Sequence, residues 1–167
     1  LIEFFEASPG LHKEVGAEGD PLRSVKRSID LLLQQQTQDV FVLEYLEHLK
    51  KVAEDYMSTY PNASSNLGIV EPLYIHKYLP AEGYYDYQWE SCHKALRHRF
   101  LAFMTYLNDV EEGGDTHFSH QDVTVAPRKG KTLLWPCEFT HTHRGEVSPS
   151  ETKYTITGWL SWLPEKS

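Results

Sequence analysis

Two periods divide the chain. Leu22, Val25, Ile29, Leu32 and Leu33 recur at helical spacing, and Asp20 before Pro21 supplies an N-cap followed by the residue best tolerated at the first helical position. That pattern predicts a helix of about four turns. A second helix follows from Val40, Leu43, Leu46, Leu49, Val52, Ala53 and Tyr56, which form one apolar stripe with Glu47, Lys50, Lys51 and Glu54 off it. Such a stripe is a packing surface. The run PNASSNLG at 61–68 breaks the helical period, and beyond it come short runs rich in Val, Ile, Thr, Tyr, Phe and Trp. Strands are predicted at Leu73–Tyr78, Phe100–Leu107, Thr116–Phe118, Asp122–Ala126, Thr132–Trp135, Phe139–His143 and Lys153–Trp162, with turn signals at EEGGD (111–115) and PRKG (127–130). This spacing predicts a mainly β fold, a sandwich or jelly roll with the N-terminal helices packed on one sheet. There is no internal repeat.

With 167 residues, 40% of them hydrophobic, a single domain over 1–167 is expected, residues 1–66 as a helical support region and 67–167 as the jelly-roll core. The net charge of -8 works against a nucleic-acid partner. No run approaches the ~18 apolar residues of a membrane span, and no basic-then-apolar leader opens the chain at Leu1, so no membrane association and a cytoplasmic location are expected, although a targeting segment could have been removed. Cys92 and Cys137 lack metal-site spacing and read as free thiols in a reducing compartment. The triplet NAS at 62–64 matches a glycosylation acceptor without a secretory signal to support it. Nothing in the sequence bears on oligomeric state.

Four of the nine histidines, His117, His120, His141 and His143, fall within 27 residues of the β region. Singly, each is an ordinary surface or hydrogen-bonded histidine. If FTHTHRG (139–145) is a strand, His141 and His143 project from one face. Lys153, ten residues after His143, heads a strand whose alternate face carries Thr155, Thr157 and Trp159. A lysine leading that face into a sheet interior is costly unless it meets an anion. Taken without a wider pattern, Tyr106 and Trp159 read as core aromatics, and Lys153 could reach solvent with its stem buried.

RFLAFMTYLNDVEEGGDTHF (99–118), GKTLLWP (130–136), THTHRG (140–145) and TKYTITGWLSW (152–162) together resemble the Fe(II)- and 2-oxoglutarate-dependent dioxygenases of the prolyl 4-hydroxylase type, from about Tyr74 to Trp162. The resemblance implies a double-stranded β-helix, the jelly roll, holding iron in a 2-His-1-carboxylate facial triad. It implies His143 as the distal ligand and Glu90 as the carboxylate, with Lys153 pairing the far carboxylate of 2-oxoglutarate, and Tyr106, Tyr78 and, on the pocket wall, Thr157 and Trp159 as further cosubstrate-binding residues. Arg97, Arg99 and Arg144 are candidate substrate contacts. The implied reaction couples oxidation of 2-oxoglutarate by O₂, to succinate and CO₂, to hydroxylation of a C–H bond, on a prolyl residue of a peptide or protein; ascorbate is a further implied cofactor.

One position departs from the pattern: QWE at 88–90 puts Gln88 where the first metal histidine is expected. A carboxamide oxygen is a weaker, uncharged donor for Fe(II). Gln88 could coordinate weakly, could be a substitution in an otherwise intact enzyme, could be replaced as ligand by His141, or could mark a site that has lost its metal and kept the fold as a module binding a peptide or small dicarboxylate. HQD at 120–122 is a literal His-X-Asp, but it stands only 23 residues before His143, against 55 for Gln88, and reads as a surface turn. A nucleic-acid demethylase is a rival disfavoured by the acidic balance.

Overall fold

In the computed structural model of the chain, which describes residues 1–34, 38–63 and 66–163, the segment SIDLLL is a strand and not the end of a helix. The Asp20 cap forms as expected, its carboxylate accepting the Leu22 N–H at 2.9 Å, but it starts only a single 3₁₀ turn, Pro21–Ser24. Beyond that turn the same letters also satisfy a period of two. Leu31 and Leu33 fall on one side, Ser28 and Asp30 on the other, all four buried. A neighbouring strand offers a full antiparallel ladder, Ile29↔Lys77 to Leu33↔Leu73, and tertiary pairing overrides the local helical spacing.

The elements in order are α1 (Ile2–Glu6), β1 (His12–Val15), β2 (Ser28–Leu33), α2 (Val40–Thr59), β3 (Leu67–Gly68), β4 (Leu73–Tyr78), β5 (Tyr84–Gln88), β6 (Arg99–Tyr106), β7 (Thr116–Phe118), β8 (Val123–Val125), β9 (Thr132–Pro136), β10 (His143–Gly145) and β11 (Lys153–Trp162). Among the described residues they build two antiparallel sheets in a jelly roll: a larger one ordered β1-β2-β4-β11-β6-β9, with β3 also on β11, and a smaller one ordered β5-β10-β7-β8. Strands β4, β7 and β11 fall where the sequence put them. Strands β1, β2, β3 and β5 were not anticipated, and the first two lie in the N-terminal third expected to be helical. The centre of PNASSNLG, residues 64–65, lies outside the described residues, and with it Ser64 of the NAS triplet.

The expected strand Phe139–His143 is also corrected. Phe139–His141 is a 3₁₀ turn and β10 begins only at His143. Local bonds win there: His141 N–H donates to the Glu138 carbonyl at 2.9 Å, and the Thr142 hydroxyl folds back on the Phe139 carbonyl at 2.7 Å.

The larger sheet has an apolar face and a polar one. Leu31, Leu33, Leu73, Ile75, Leu101, Phe103, Ile156 and Leu160 form one core with Phe5 of α1 and Val42, Leu49 and Ala53 of α2. The helix stripe differs in its first turn from the expected one, since Val40 and Leu43 are exposed and Val42 is buried. A hydroxyl chain, Tyr45 to Thr105 at 3.0 Å and Thr105 to Thr132 at 2.7 Å, pins α2 to β6 and β9. Gly158 is required by this face, because a Cβ there would stand 2.5 Å from both Leu73 and Phe103 side chains. The opposite face, turned to the smaller sheet, holds a second core of Ala102, Phe118, Trp135 and Cys137 at one end and a cavity at the other.

If β2 is integral to the sheet, Leu31→Ala costs about 2–5 kcal/mol in urea unfolding, and Leu32→Ala, a residue 40% exposed, about 1 kcal/mol or less. Similar small losses for both would show that β2 is not part of the core.

Candidate active site

The cavity between the sheets measures about 360 Å³. One end is built by β11. Lys153 is 4% exposed, and its ammonium donates to the carbonyls of Gly114 at 2.9 Å and Glu146 at 3.1 Å beside the Tyr78 ring at 5.0 Å. The first carbonyl is delivered by the EEGGD turn, where Gly113 and Gly114 take φ of +70° and +73°. Among the described residues no carboxylate lies within ion-pair distance of this ammonium. Burial therefore pulls its pKa down from 10.5 to about 8. Thr155, next on the same face, is buried with a hydroxyl that makes no hydrogen bond among the described residues. An anion accepting from both groups would relieve the charge and the orphaned hydroxyl together.

The other end is built where β10 lies between β5 and β7. His143 sits opposite Gln88 on one side and Phe118 on the other. Its Nδ1 is 2.9 Å from the His141 carbonyl, which can only accept, so Nδ1 carries the hydrogen and Nε2 is turned to Glu90 Oε1 at 3.2 Å. The other Glu90 oxygen accepts from Trp159 Nε1 at 2.8 Å and faces Arg99 at 3.7 Å. Arg99 is itself fixed by two bonds to Glu71, at 2.7 and 2.6 Å, and lies 3.5 Å over the Trp159 ring. Burial opposes ionisation of Glu90, but His143, Trp159 and Arg99 outweigh it and hold the carboxyl below its ordinary pKa. This clamp occupies Oε2, while Oε1 meets His143 Nε2.

Gln88 lines the same cavity. Two strong donors, an imidazole nitrogen oriented from behind and a clamped carboxylate, thus share a wall with one weak carboxamide, a set that fits a divalent metal held less firmly than by two histidines and a carboxylate. Among the described residues no group of three His, Cys, Asp or Glu forms a metal cage.

Between the two ends runs a polar chain the sequence did not reveal as part of a site: Lys26, Asp30 and His76, ending on Thr157. Asp30 was hidden in a presumed helix. His76 was legible, because the alternation of β4 puts it on the face of Tyr74 and Tyr78.

Of the anticipated residues, the fold gathers Gln88, Glu90, His143, Lys153, Thr157, Trp159, Tyr78 and Arg99 around the cavity. Four are elsewhere. Tyr106 is fully buried behind the wall, its hydroxyl on Thr116 at 2.6 Å and the Val125 carbonyl at 3.1 Å, and burial raises its pKa to about 12. His141 lines a different groove beside α2. Arg97 is exposed, and Arg144 pairs with Glu146 at 2.8 Å over the Tyr87 ring. In HQD, Asp122 is almost wholly exposed and lies 3.8 Å from His117.

Residues 73–161, a little over half of the chain, match the sequence model of the 2OG-Fe(II) oxygenase superfamily. No curated protein matches the chain in sequence. Solved structures do match in shape. A Pseudomonas putida prolyl-4-hydroxylase aligns over 98% of this chain and 84% of its own at 13% identity and a TM-score of 0.72. A Trichoplax adhaerens prolyl hydroxylase, in complex with a peptide fragment of the hypoxia inducible factor oxygen degradation domain, aligns over 96% and 74% at 14% identity and 0.71. The viral collagen prolyl hydroxylase of Paramecium Bursaria Chlorella virus-1, in its 2OG complex, aligns over 83% and 81% at 19% identity and 0.67. At these identities the likeness establishes the jelly-roll fold.

The unfolded chain holds a proton on Lys153 up to the ordinary lysine pKa of 10.5, whereas the folded chain releases it near 8, so this group makes ligand-free stability rise with pH across that window, by about 3 kcal/mol in all. Unfolding of the wild type and Lys153→Met between pH 8 and about 9.5 should show the wild type gaining on the variant. A constant difference would mean that the ammonium is not desolvated.

Proposed function

Because the chain belongs to the 2OG-Fe(II) oxygenase superfamily, we propose that it binds 2-oxoglutarate between Lys153 and the His143–Glu90 pair and hydroxylates a prolyl residue of a peptide or protein. The observation that carries this reading is one cavity with, at one end, a buried ammonium that has no carboxylate within ion-pair distance among the described residues and a hydroxyl without a hydrogen-bond partner among them, and, at the other, an oriented imidazole beside a clamped carboxylate. The far carboxylate of 2-oxoglutarate would accept from Lys153 and Thr155, with Tyr78 closing that end. Tyr106 would act from behind, by holding Thr116. His143 and Glu90 would hold Fe(II), with Gln88 as the weak third donor. When bound, iron supplies the redox chemistry by which O₂ oxidises 2-oxoglutarate to succinate and CO₂ and a substrate C–H bond to C–OH; ascorbate would keep it reduced.

The protein's own contribution is positioning. Trp159 and Arg99 hold one Glu90 oxygen and favour its ionised form, and the His141 carbonyl fixes the His143 ring through Nδ1, so that Nε2 and the other Glu90 oxygen converge on one point, 3.2 Å apart, where an ion would come between them. Arg99 has its guanidinium committed to Glu71 and Glu90, so its role in this reading is to orient the carboxylate and not to meet substrate. Arg97 and Arg144, outside the cavity, would meet the flanks of a peptide. The complex of the Trichoplax enzyme with a peptide fragment supports the substrate class by analogy of fold. No described helix is long and apolar enough to cross a membrane.

A second reading, a metal-poor module that binds a peptide or small dicarboxylate, is favoured by Gln88 and by the direct contact of His143 with Glu90.

Restoring the histidine separates the two. Gln88→His should raise Fe(II) affinity by about tenfold or more and increase succinate release from 2-oxoglutarate. Lys153→Met should weaken 2-oxoglutarate binding by about a hundredfold, read by calorimetry without peptide. A Gln88→His protein that takes up no more iron and releases no succinate supports the module; a mass increase of one oxygen on a proline peptide, located as hydroxyproline, supports the enzyme.

A further inference from the structure

The floor of the cavity carries a buried polar chain that neither the cosubstrate nor the metal reading uses. Asp30 and His76 are cross-strand partners in β2 and β4. One Asp30 oxygen accepts from the Ser28 hydroxyl at 2.7 Å and meets His76 Nδ1 at 2.7 Å; the other accepts from Lys26 at 2.8 Å. His76 Nε2 lies 2.9 Å from the Thr157 hydroxyl. A carboxylate ion can only accept, so Nδ1 carries the ring hydrogen. Burial, and the Lys26 ammonium 3.2 Å away, disfavour a second proton on the ring. Nε2 is then an acceptor, and the single hydroxyl hydrogen of Thr157 is spent on it.

The consequence concerns two threonines on the same strand face. Among the described residues the Thr155 hydroxyl has no hydrogen-bond partner, so it can donate to an anion near Lys153. Thr157, one step nearer Trp159 and Glu90, has only lone pairs left to offer the cavity. A 2-oxoglutarate dianion carries acceptors alone and gains nothing from Thr157.

We infer that His76, fixed by Asp30, is a positioning residue that makes Thr157 a hydrogen-bond acceptor at the Glu90 end of the cavity, so that the substrate group received there is an N–H or O–H donor such as a peptide amide. The inference rests on the peptide-oxygenase reading above for its substrate class, though not for the orientation of Thr157. It gives the cavity opposite polarity at its two threonines, which sorts the cosubstrate to one end and the substrate to the other.

The orientation is tested first, without metal or peptide, by ¹⁵N NMR of histidine-labelled protein. His76 should show a protonated Nδ1 and an unprotonated Nε2; a protonated Nε2 overturns the inference. The second arm uses the Fe(II)-loaded protein with a short polyproline peptide as probe, and variants confirmed as folded by thermal melting. His76→Leu and Thr157→Val should raise the peptide KM by about tenfold while the 2-oxoglutarate Kd stays within about twofold. His76→Gln, whose amide can donate to Asp30 and accept from Thr157, should recover most of that loss. An unchanged peptide KM in folded His76→Leu, or an equal loss of 2-oxoglutarate binding, overturns the role assigned to His76. If the wild type hydroxylates no peptide, the prolyl reading fails, and the histidine spectrum still decides how Thr157 is held.

Discussion

The alternation of β11 is the constraint on which the rest depends. Ile156 and Leu160 must enter the hydrocarbon against α2, with Gly158 leaving room for Leu73 and Phe103, and the pleat then sends Lys153, Thr155, Thr157 and Trp159 to the other side. A slip of one residue would exchange the two sets, at the cost of a charge in the core and apolar residues in the cavity. The strand is held against such a slip by partners on both sides, β4 and β6, along most of its length. Stability of the core and placement of the candidate chemistry are therefore one event.

Electrostatics inside the cavity follow from that placement. Lys153 is bonded to carbonyls, and burial depresses its pKa against the more distant charges of Asp115 and Glu146; Glu90 is also largely buried but is surrounded by donors, and its pKa falls as well, toward the charged form. The two ends thus differ in kind. One presents an ammonium held by carbonyls, and the other holds a carboxylate oriented through one oxygen by Trp159 and Arg99 and facing His143 with the other. Gln88 lies outside this scaffold, because the clamp on Glu90 and the anchor of His143 come from other residues.

Much of the β region was legible, because alternating apolar and polar residues between turn signals admit few other structures: β4, β7 and β11 agree to the residue, and β6 and β9 within one. The N-terminal third was not. Leu22, Val25, Ile29 and Leu33 fit a helix, whereas Ile29, Leu31 and Leu33 fit a strand, and the letters do not rank the two. His141 and His143 failed together as a pair, since the same-face rule applies only within a strand, and Thr142 turns the chain before the strand begins.

The sequence alone determined a mainly β fold and the cavity face of β11, because both depend on local periodicity, and its resemblance to a known family supplied the jelly roll and the grouping of Gln88, Glu90, His143 and Lys153. Only the tertiary structure decided that SIDLLL joins the sheet, that Asp30 and Lys26 thereby reach the cavity, and that Arg99 is committed to carboxylates. The physical reason is the same in each case. Those roles depend on partners such as Glu71 for Arg99 and His76 for Asp30 and Lys26, 28 to 50 residues away in the chain, whose proximity no local pattern encodes.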